Sequence, residues 1–445
     1  MELDPARFER NAGRIADEVV SYLAGLLGST LTVTWKSKFI SADGVSVELL
    51  EGDHHGMSKL NTLVESFPCL DTLPTPSLLL DEVRMERNIR RLQSRMAQLG
   101  VALRPHLKTG KSIEVARRLM QTPSGPATVS TLREAEEFAA HGVRDMLYAV
   151  GFAPNKLDRV KALRAKGIDL AVVTDNLAAA RVIAAGAQDA KNPIPVLIEI
   201  DSDGHRSGVQ PQQTELLVAL GRALHGGGAA LRGVMTHAGG SYGCRSAAEL
   251  EQAAEGERAA AVQCATTLRQ AGLPCPVVSV GSTPTAHFAL DLTGVTEVRA
   301  GVFVFFDLVM AGIGVCRTED IAVGVLASVI GHQREKNWII VDAGWMAMSR
   351  DRGTAKQQVD QGYGLVCDVD GNPYGDLVMI EANQEHGILA IRGGSSATLP
   401  ELAVGDLVRI LPNHVCATAA QFDEYHVIRE GSRQVHATWA RFHGW

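Results

Sequence analysis

From Thr75 onward, short apolar runs alternate with longer charged segments whose apolar residues have helical spacing, such as "LREAEEFAAHG" and "KLDRVKALRAKG". Alternation of this kind favours parallel strands in one sheet with helices outside it. Eight strands are expected, near residues 101–105, 126–129, 146–150, 169–174, 195–200, 231–235, 276–280 and 296–299. We therefore predict an α/β fold built on a (β/α)8 TIM barrel. A doubly wound open sheet is the alternative, although no Rossmann fingerprint follows the first strand.

The regions on either side of this alternation differ from it. After about residue 310 the chain is rich in strand-like segments, among them "IAVGVLASVIGH", "WIIVDAG" and "LVRILP", which indicates a separate β domain. Before residue 71, apolar residues at Ile15, Val19, Leu23 and Leu26 predict a helix, and "LTVTWKSKF" alternates like a strand. We expect an N-terminal extension over 1–70 that packs or dimerises, a barrel over 71–310, and a C-terminal β domain over 311–445.

Bulk properties exclude several classes of protein. The net charge of −7 provides no basic face for nucleic acid. No apolar run approaches the roughly 20 residues that cross a membrane, and the start "MELDPARFER" lacks the pattern of a signal peptide. The seven cysteines are scattered without a CxxC pair, which favours a reducing compartment. We expect a cytoplasmic protein with a small-molecule substrate.

Residues suited to chemistry follow the ends of several predicted strands. In a (β/α)8 barrel these ends form the catalytic rim. The residues concerned are Lys108 after the first strand, Asp201, Asp203, His205 and Arg206 after the fifth, His237 and Tyr242 after the sixth, Gly281, Ser282 and Thr283 after the seventh, and Arg299 and Gly301 after the eighth. Five groups on one rim predict an active site there.

The turn Gly281-Ser282-Thr283 and Lys108 together suggest a cofactor. A glycine followed by hydroxyl residues at a helix start can bind phosphate, and the phosphate site of such barrels often follows strands seven and eight. An ordinary helix N-cap is the alternative. A lysine on the same rim can form a Schiff base with the aldehyde of pyridoxal phosphate. We predict Lys108 in that role; Lys111, one position inside the helix, is less favoured.

Seven motifs, in order, resemble those of fold-type III pyridoxal-phosphate enzymes, the alanine-racemase-like barrels. They are "RPHLKTGK", "IEIDSDGHRSGV", "THAGGSYG", "GSTPT", "TEVRAGVFVFFD", "VDAGWMAMS" and "LPNHVCAT". The D-serine dehydratase and D-threonine aldolase branch is the most similar. The resemblance implies Lys108 as the Schiff-base lysine, the phosphate on Gly281, Ser282 and Thr283, Arg206 near the phenolic oxygen of the cofactor, and His237 and Tyr242 beside its ring. It also implies a homodimer.

Four positions depart from the family pattern. Gly110 and Gly240 stand where histidine is common, Phe303 where tyrosine is usual, and Met346 where lysine is usual. These departures bear on the substrate, since the lysine and the phosphate turn are present.

His414 and Cys416, in "LPNHVCAT", are candidate metal ligands. On an extended strand their spacing would put both side chains on one face, and imidazole with thiolate suits Zn²⁺ or another divalent cation. A half-buried histidine and a core cysteine are the alternative. The resemblance favours metal, because the metal-dependent branch carries ligands here and its dehydratases have the His-x-Cys form. Asp423, His426 and Cys367 are less favoured ligands.

The resemblance and the chemistry converge on a lyase. We predict β-elimination from a D-β-hydroxy amino acid, D-serine above all, to a 2-oxo acid and ammonia, in which the metal would stabilise the leaving hydroxyl. A D-threonine aldolase, an amino-acid racemase and a non-catalytic cofactor carrier are the alternatives. For recognition of the β-substituent we expect Arg350, Arg352 and Tyr363, in a polar loop, to be candidates.

Overall fold

The computed structural model describes residues 38–40, 46–48, 63–65, 68–187 and 192–445. The chain divides into two compact units, Met1–Phe67 and Pro68–Trp445. In the first unit, β1 (Lys38–Ile40), β2 (Ser46–Glu48) and β3 (Leu63–Glu65) form an antiparallel sheet in that order. The predicted helix over 15–26 and most of the predicted strand over 31–39 lie outside the described residues.

An eight-stranded parallel sheet forms the barrel of the second unit. After β4 (Ser77–Asp81), its strands are β5 (Ala102–Leu103), β6 (Ala127–Val129), β7 (Asp145–Gly151), β8 (Asp169–Thr174), β9 (Pro195–Ile200), β10 (Ala230–Thr236), β11 (Val277–Val280) and β12 (Glu297–Val298). The strand order is β5-β12-β11-β10-β9-β8-β7-β6. A parallel bridge between His106 and Thr128 joins the two end strands and closes the ring. The predicted (β/α)8 barrel is confirmed.

Helices separate the barrel strands and cover the sheet. They are α1 (Glu82–Gln98), α2 (Ile113–Leu119), α3 (Leu132–Ala140), α4 (Leu157–Ala165), α5 (Leu177–Gly186), α6 (Thr214–Gly226), α7 (Ala247–Gln270) and α8 (Thr283–Phe288). Side chains of Asp81, Thr131, Asn176 and Ser246 accept a hydrogen bond from an N–H group in the first turn, which fixes where four of these helices begin. No helix in the described ranges is both long and apolar enough to cross a membrane.

The second sheet of this unit has nine strands. After β4 these are β13 (Val323–Gln333), β14 (Trp338–Val341), β15 (Gly364–Cys367), β16 (Pro373–Ala382), β17 (Gly387–Ile391), β18 (Leu407–Pro412), β19 (Glu424–Ile428) and β20 (Ala437–Ala440). Its order is β14-β17-β16-β15-β18-β13-β4-β19-β20, and an additional β13–β14 pairing closes six of the strands into an antiparallel barrel. Three short helices join this part: α9 (Leu308–Gly312), α10 (Trp345–Met348) and α11 (Val415–Ala419).

Strand β4 departs from the predicted division. It lies in the range predicted for the (β/α)8 barrel, but pairs with β13 and β19 of the second sheet. All five of its residues are buried, so the apolar run alone does not reveal which sheet it joins. Its pairing anchors the start of the barrel segment in the C-terminal sheet.

Candidate active site

A cavity of about 350 Å³ opens where the barrel rim meets the loops of the second sheet. It is lined by the residues predicted to bind the cofactor and by the two favoured metal ligands: Lys108, Arg206, His237, Tyr242, Gly281, Ser282, Thr283, His414 and Cys416. Arg299 and Gly301 also line it, whereas Asp201, Asp203 and His205 do not. Asp203 instead accepts a hydrogen bond from the Gly240 N–H. The structure thus gathers residues separated by more than 300 positions around one space.

The loop that carries Lys108 is held through its backbone. The Gly110 carbonyl accepts hydrogen bonds from Tyr425 Oη at 2.8 Å and from Arg441 Nε at 3.2 Å. Within the described part of the chain, the Lys108 amine has no ion-pair partner, and it opens into the cavity. Lys111 differs, because its Nζ lies 3.2 Å from the buried carboxylate of Glu134. Of the two lysines, only Lys108 is available for chemistry in the cavity.

The Gly281-Ser282-Thr283 turn forms the N-terminal end of α8. Gly281 has a φ of +133°, and a Cβ there would lie 2.2 Å from the Arg299 carbonyl oxygen, so no other residue fits without a shift. Ser282 Oγ accepts from the Thr285 N–H, while Thr285 Oγ1 accepts from the Ser282 N–H, which forms a capping box. The N-cap that was the alternative interpretation of this turn is therefore present, and it occupies the Ser282 hydroxyl. The Thr283 backbone is a hydrogen-bond partner of Tyr242, and all three residues of the turn line the cavity.

Glu257 holds this turn in place through hydrogen bonds. This buried carboxylate of α7 accepts hydrogen bonds from the Ala238 N–H at 2.8 Å, from the Gly281 N–H at 3.1 Å and from Thr285 Oγ1 at 2.7 Å. Burial raises the pKa of Glu257, and its hydrogen bonds oppose that effect. One side chain thus joins the ends of β10 and β11. No sequence pattern indicated this role, because Glu257 lies among other charged residues of a long helix.

Aromatic side chains form one wall of the cavity. His237 Nδ1 lies 3.1 Å from the Gly281 carbonyl oxygen, so Nδ1 carries the hydrogen. Burial, assisted by the charge of nearby Arg206, lowers the pKa of His237 to about 3, so the ring is neutral at physiological pH. Burial raises the pKa of Tyr242 above its ordinary value, which keeps the phenol protonated. The two ring centroids are 6.2 Å apart.

Two cationic side chains lie near this wall. Arg299 is buried and donates from Nε to Ser279 Oγ at 2.8 Å and from Nη2 to the Thr236 carbonyl. Arg206 is exposed at the cavity, and no hydrogen bond to its guanidinium occurs within 68–187 and 192–445. Arg206 is therefore the less constrained cation of this pair, although its charge acts on the buried carboxylate of Glu199. His106, whose role the sequence left unassigned, also lines the cavity, and burial lowers its pKa well below the ordinary value.

His414 and Cys416 lie at the start of a short helix. His414 is the N-cap of α11 and Cys416 lies in its first turn, so the expected extended strand is wrong. Strand β18 ends at Pro412, and the chain turns there into the helix. Both side chains nevertheless reach the cavity. His414 Nδ1 lies 2.8 Å from Asp351 Oδ2, and Cys416 Sγ lies 3.3 Å from Thr109 Oγ1.

The chemistry of this pair fits a cation. Hydrogen bonds with Asp351 and Cys416 raise the pKa of His414 well above its ordinary value. Burial tends to raise the pKa of Cys416, but His414 and Lys108 outweigh it and the pKa is lowered. The negative charge that holds a proton on His414 would equally favour a metal ion in the proton's place. Among the described residues no group of three or more His, Cys, Asp or Glu side chains is arranged for metal.

Asp307 was missed by the sequence analysis. It caps α9 by accepting from the Met310 N–H at 3.0 Å, and its second oxygen accepts from the Val415 N–H at 3.1 Å. Burial raises the pKa of Asp307 to about 6. This carboxylate connects the loop after β12 with the helix of Cys416. Its partner at Val415 is more than 100 positions away, which no local pattern indicates.

The less favoured metal ligands lie elsewhere. Cys367 is buried in β15, His426 lies in β19, and Asp423 pairs with His443 at 3.1 Å. The candidates for substrate recognition do not line the cavity either. Arg352 is paired with Asp360 and stacked on Tyr363, and Arg350 is stacked on Trp345.

The four residues that depart from the family pattern lie in different surroundings. A Cβ on Gly110 would lie 2.8 Å from Val115 Cγ1, and one on Gly240 would lie 3.1 Å from Asp203 Oδ2. Phe303 is fully buried, while Met346 is 41% exposed and lies outside the cavity lining. None of the four brings a further charged group to the cavity.

The barrel, the rim lysine and the phosphate turn define an alanine-racemase-like enzyme that uses pyridoxal phosphate. The family model "Alanine racemase, N-terminal domain" matches residues 80–309, and "Putative serine dehydratase domain" matches residues 322–428. The chain is 55% identical over 377 residues to D-threo-3-hydroxyaspartate dehydratase of Delftia sp., covering 84% of this chain and 98% of that one. It is 30% identical over 389 residues to D-serine dehydratase of Dictyostelium discoideum, covering 83% and 96%. The chain therefore belongs to the fold-type III pyridoxal-phosphate family that contains these dehydratases, and the dehydratases it resembles are carbon–nitrogen lyases.

Solved structures agree with this assignment. The Delftia enzyme superposes with a TM-score of 0.81, covering 85% of this chain and 100% of that one. In one variant of that enzyme a histidine is replaced by alanine. In another, the cysteine two positions after that histidine is replaced by alanine, and this structure is in the metal-free form. D-threonine aldolase of Arthrobacter sp. is more distant, at 28% identity over 370 residues, covering 81% of this chain and 91% of that one.

Proposed function

We propose that this protein is a metal-dependent dehydratase that converts a D-β-hydroxy amino acid to a 2-oxo acid and ammonia. One observation carries the proposal: the Lys108 amine and the His414–Cys416 pair open into the same cavity. With both sites on one cavity, the cofactor site could act on the α-carbon of a substrate while the metal site acts on the hydroxyl of the neighbouring β-carbon.

Lys108 has two roles in this proposal. Its amine would hold the cofactor covalently, and with that amine free, Nζ would be the base that takes the α-proton of the substrate. Pyridoxal phosphate, when bound, supplies an electron sink for the Cα carbanion. Because Lys108 stands on one side of the cofactor site, it would reach one enantiomer, and family membership favours the D form.

The wall residues would orient the cofactor. The neutral ring of His237 offers a flat face without a competing charge, and its bond to the Gly281 carbonyl fixes that face relative to the phosphate turn. Tyr242, protonated at physiological pH, can donate a hydrogen bond. Arg206, as the less constrained cation, can bind the phenolic oxygen. Gly281, Ser282 and Thr283 would form the seat of the phosphate.

His414 Nε2 and Cys416 Sγ would hold the metal, for which we propose Zn²⁺. Imidazole with thiolate is a donor set that suits zinc, and two protein ligands leave room for water and for a substrate oxygen. The metal, when bound, supplies Lewis-acid stabilisation to the departing hydroxyl. The histidine and the cysteine that are replaced in the two Delftia variants have the same spacing as His414 and Cys416, and one of those variant structures is metal-free. This supports the assignment.

The comparisons favour 3-hydroxy-D-aspartate over D-serine as the substrate, since identity is 55% to the dehydratase of the former and 30% to one of the latter. We propose D-threo-3-hydroxyaspartate as the preferred substrate, with D-serine second. The partner subunit of a homodimer, which the family implies, would complete the substrate site.

A panel of D-threo-3-hydroxyaspartate, D-serine and D-threonine tests the proposal. Release of ammonia and 2-oxo acid should be abolished by a chelator and restored by zinc. Full activity in metal-free protein would reject the metal role. Glycine and an aldehyde as products would instead establish the aldolase, the candidate that the Arthrobacter relative favours. Loss of optical purity without either product would establish a racemase.

A further inference from the structure

The loop over 349–363, between α10 and β15, brings one carboxylate to the cavity. Asp351 lines the cavity, and its Oδ2 lies 2.8 Å from His414 Nδ1. The other acidic side chain of the loop, Asp360, is paired with Arg352 at 2.8 Å and lies outside the cavity lining. Two carboxylates nine positions apart therefore have different surroundings, and only one meets a proposed metal ligand.

The backbone of this loop is fixed by the residue before His414. Asn413 is buried, and its Nδ2 donates to the carbonyl oxygens of Asp351 at 3.2 Å and of Gly362 at 2.6 Å. Its Oδ1 accepts from Thr354 Oγ1 at 2.8 Å, and that hydroxyl in turn accepts from the Gln361 N–H. The amide of Asn413 thus holds both ends and the middle of the loop. These hydrogen bonds hold a segment without regular secondary structure in one conformation, in which Asp351 lies at the cavity.

We propose that Asp351 is a positioning residue for the metal site, a proposal that rests on the proposed function. Its carboxylate accepts the hydrogen of His414 Nδ1, which leaves Nε2 as the nitrogen at which a metal ion would replace the proton. The same bond fixes the rotation of the imidazole ring and raises its basicity as a ligand. Carboxylates in this arrangement typically strengthen metal binding 10- to 100-fold.

Asp351 acts through His414 in this proposal. One carboxylate oxygen is engaged by the imidazole, and Asp351 with His414 and Cys416 does not form a three-ligand cluster among the described residues. Removal of the carboxylate should therefore weaken the metal site while both ligands remain in place.

Zinc titration of the cofactor-loaded full chain, without substrate, tests this. Asp351→Ala should weaken zinc binding about 10- to 100-fold, and Asp351→Asn less, because an amide oxygen still accepts the Nδ1 hydrogen. Asp360→Asn is the matched control from the same loop and should bind zinc like the unchanged protein. Cobalt serves as a second probe, since a thiolate-to-cobalt absorption band should persist in Asp351→Ala at saturating cobalt.

The outcomes separate the two proposals. Zinc affinity of Asp351→Ala within about twofold of the unchanged protein, while His414→Ala loses zinc, would overturn the role of Asp351 and leave the metal site standing. Failure of the unchanged protein to bind zinc or cobalt would overturn the proposed metal site and the positioning role together. Should Asp351→Ala fold poorly, as judged by thermal unfolding, Asp351→Asn provides the decisive comparison with Asp360→Asn.

Discussion

Thr109 and Cys416 are joined by a hydrogen bond of 3.3 Å between Oγ1 and Sγ. Thr109 directly follows Lys108 in the loop after β5, whereas Cys416 belongs to the helix after β18. To bind a metal, the Cys416 side chain must be a thiolate, which can only accept a hydrogen bond. The Thr109 hydroxyl is then the donor to Sγ. The proposed cofactor lysine and the proposed metal ligand are therefore separated by one peptide unit and one hydrogen bond.

Loss of this hydrogen bond should weaken metal binding. Thr109 is fully buried, so Thr109→Val preserves shape and removes only the donor to the thiolate. Hydrogen bonds to charged groups contribute about 1.5–3 kcal/mol, so metal affinity should fall about tenfold or more. Calorimetric zinc titration measures this, and Thr109→Ser, which retains a hydroxyl, should be much less affected. Equal affinities in the valine and serine variants would show that the contact contributes nothing.

Covalent attachment of the cofactor should depend on Lys108 alone. Borohydride treatment of the cofactor-loaded protein should fix pyridoxal phosphate to Lys108, and peptide mass spectrometry can locate the bond. Lys108→Ala should lose both the visible absorption band and the covalent product. Lys111→Ala is the matched control: it breaks an ion pair with Glu134 and should retain the attachment. A visible band that survives Lys108→Ala would refute the assignment.

His414→Ala should separate the two chemical steps. In the proposed reaction Lys108 would remove the α-proton, whereas departure of the hydroxyl would depend on the metal site, and metal ions contribute several kcal/mol to such steps. Release of 2-oxo acid should therefore fall about 1,000-fold or more. Exchange of the α-proton of a D-amino acid in deuterated water, followed by NMR, should change far less. A parallel loss of both rates would mean that His414 supports more than the leaving group.

The stability of the fold should depend on pH through His287. This histidine is 8% exposed, and burial lowers its pKa to about 4 while its Nδ1 contacts the Thr283 carbonyl at 2.9 Å. In the unfolded chain the ring gains a proton below about pH 6.5, but the folded protein resists protonation until about pH 4. Its contribution is thus present above pH 6.5 and is lost as the pH falls, by up to about 1.4 kcal/mol per pH unit.

Urea unfolding at several pH values tests this dependence. His287→Phe keeps an aromatic ring against Phe306 and removes the titration. The free energy of unfolding of the variant should vary less steeply between pH 6.5 and pH 4 than that of the unchanged protein, whatever their difference at pH 8. Parallel curves over that interval would assign the acid sensitivity to other groups.

Particular residues show what the sequence could predict. Strand β9 is buried at all six positions and is apolar except for Glu199, and short apolar runs of this kind allowed the barrel strands to be identified. Lys108, His237 and the Gly281–Thr283 turn could be placed because a strand end fixes where the next residue lies. Asp351 stands between two arginines in a polar loop and resembles a solvated surface residue. Its function arises from a contact with His414, 63 positions away, and local patterns carry no trace of such contacts.

The clearest long-range contact of this kind belongs to Arg441. Its side chain is 7% exposed and donates to the carbonyl oxygens of Gly110, Ala419 and Phe422, with Tyr425 Oη as a further partner. Gly110 belongs to the loop of Lys108, and Ala419 ends the helix of Cys416. One guanidinium therefore holds together the two segments that carry the proposed cofactor and metal ligands.

Arg441→Met should consequently impair both sites and the fold. The substitution leaves buried carbonyl groups without donors, and such groups cost about 1–3 kcal/mol each, so the free energy of unfolding should fall by several kcal/mol. Where the variant still folds, its affinities for pyridoxal phosphate and for zinc should decrease together, because both segments lose a common anchor. Arg433→Met is the control, since Arg433 is exposed and its guanidinium forms a surface ion pair with Asp370; it should unfold like the unchanged protein. If Arg441→Met lost zinc affinity but retained full cofactor affinity, the arginine would anchor the helix of Cys416 and not the loop of Lys108.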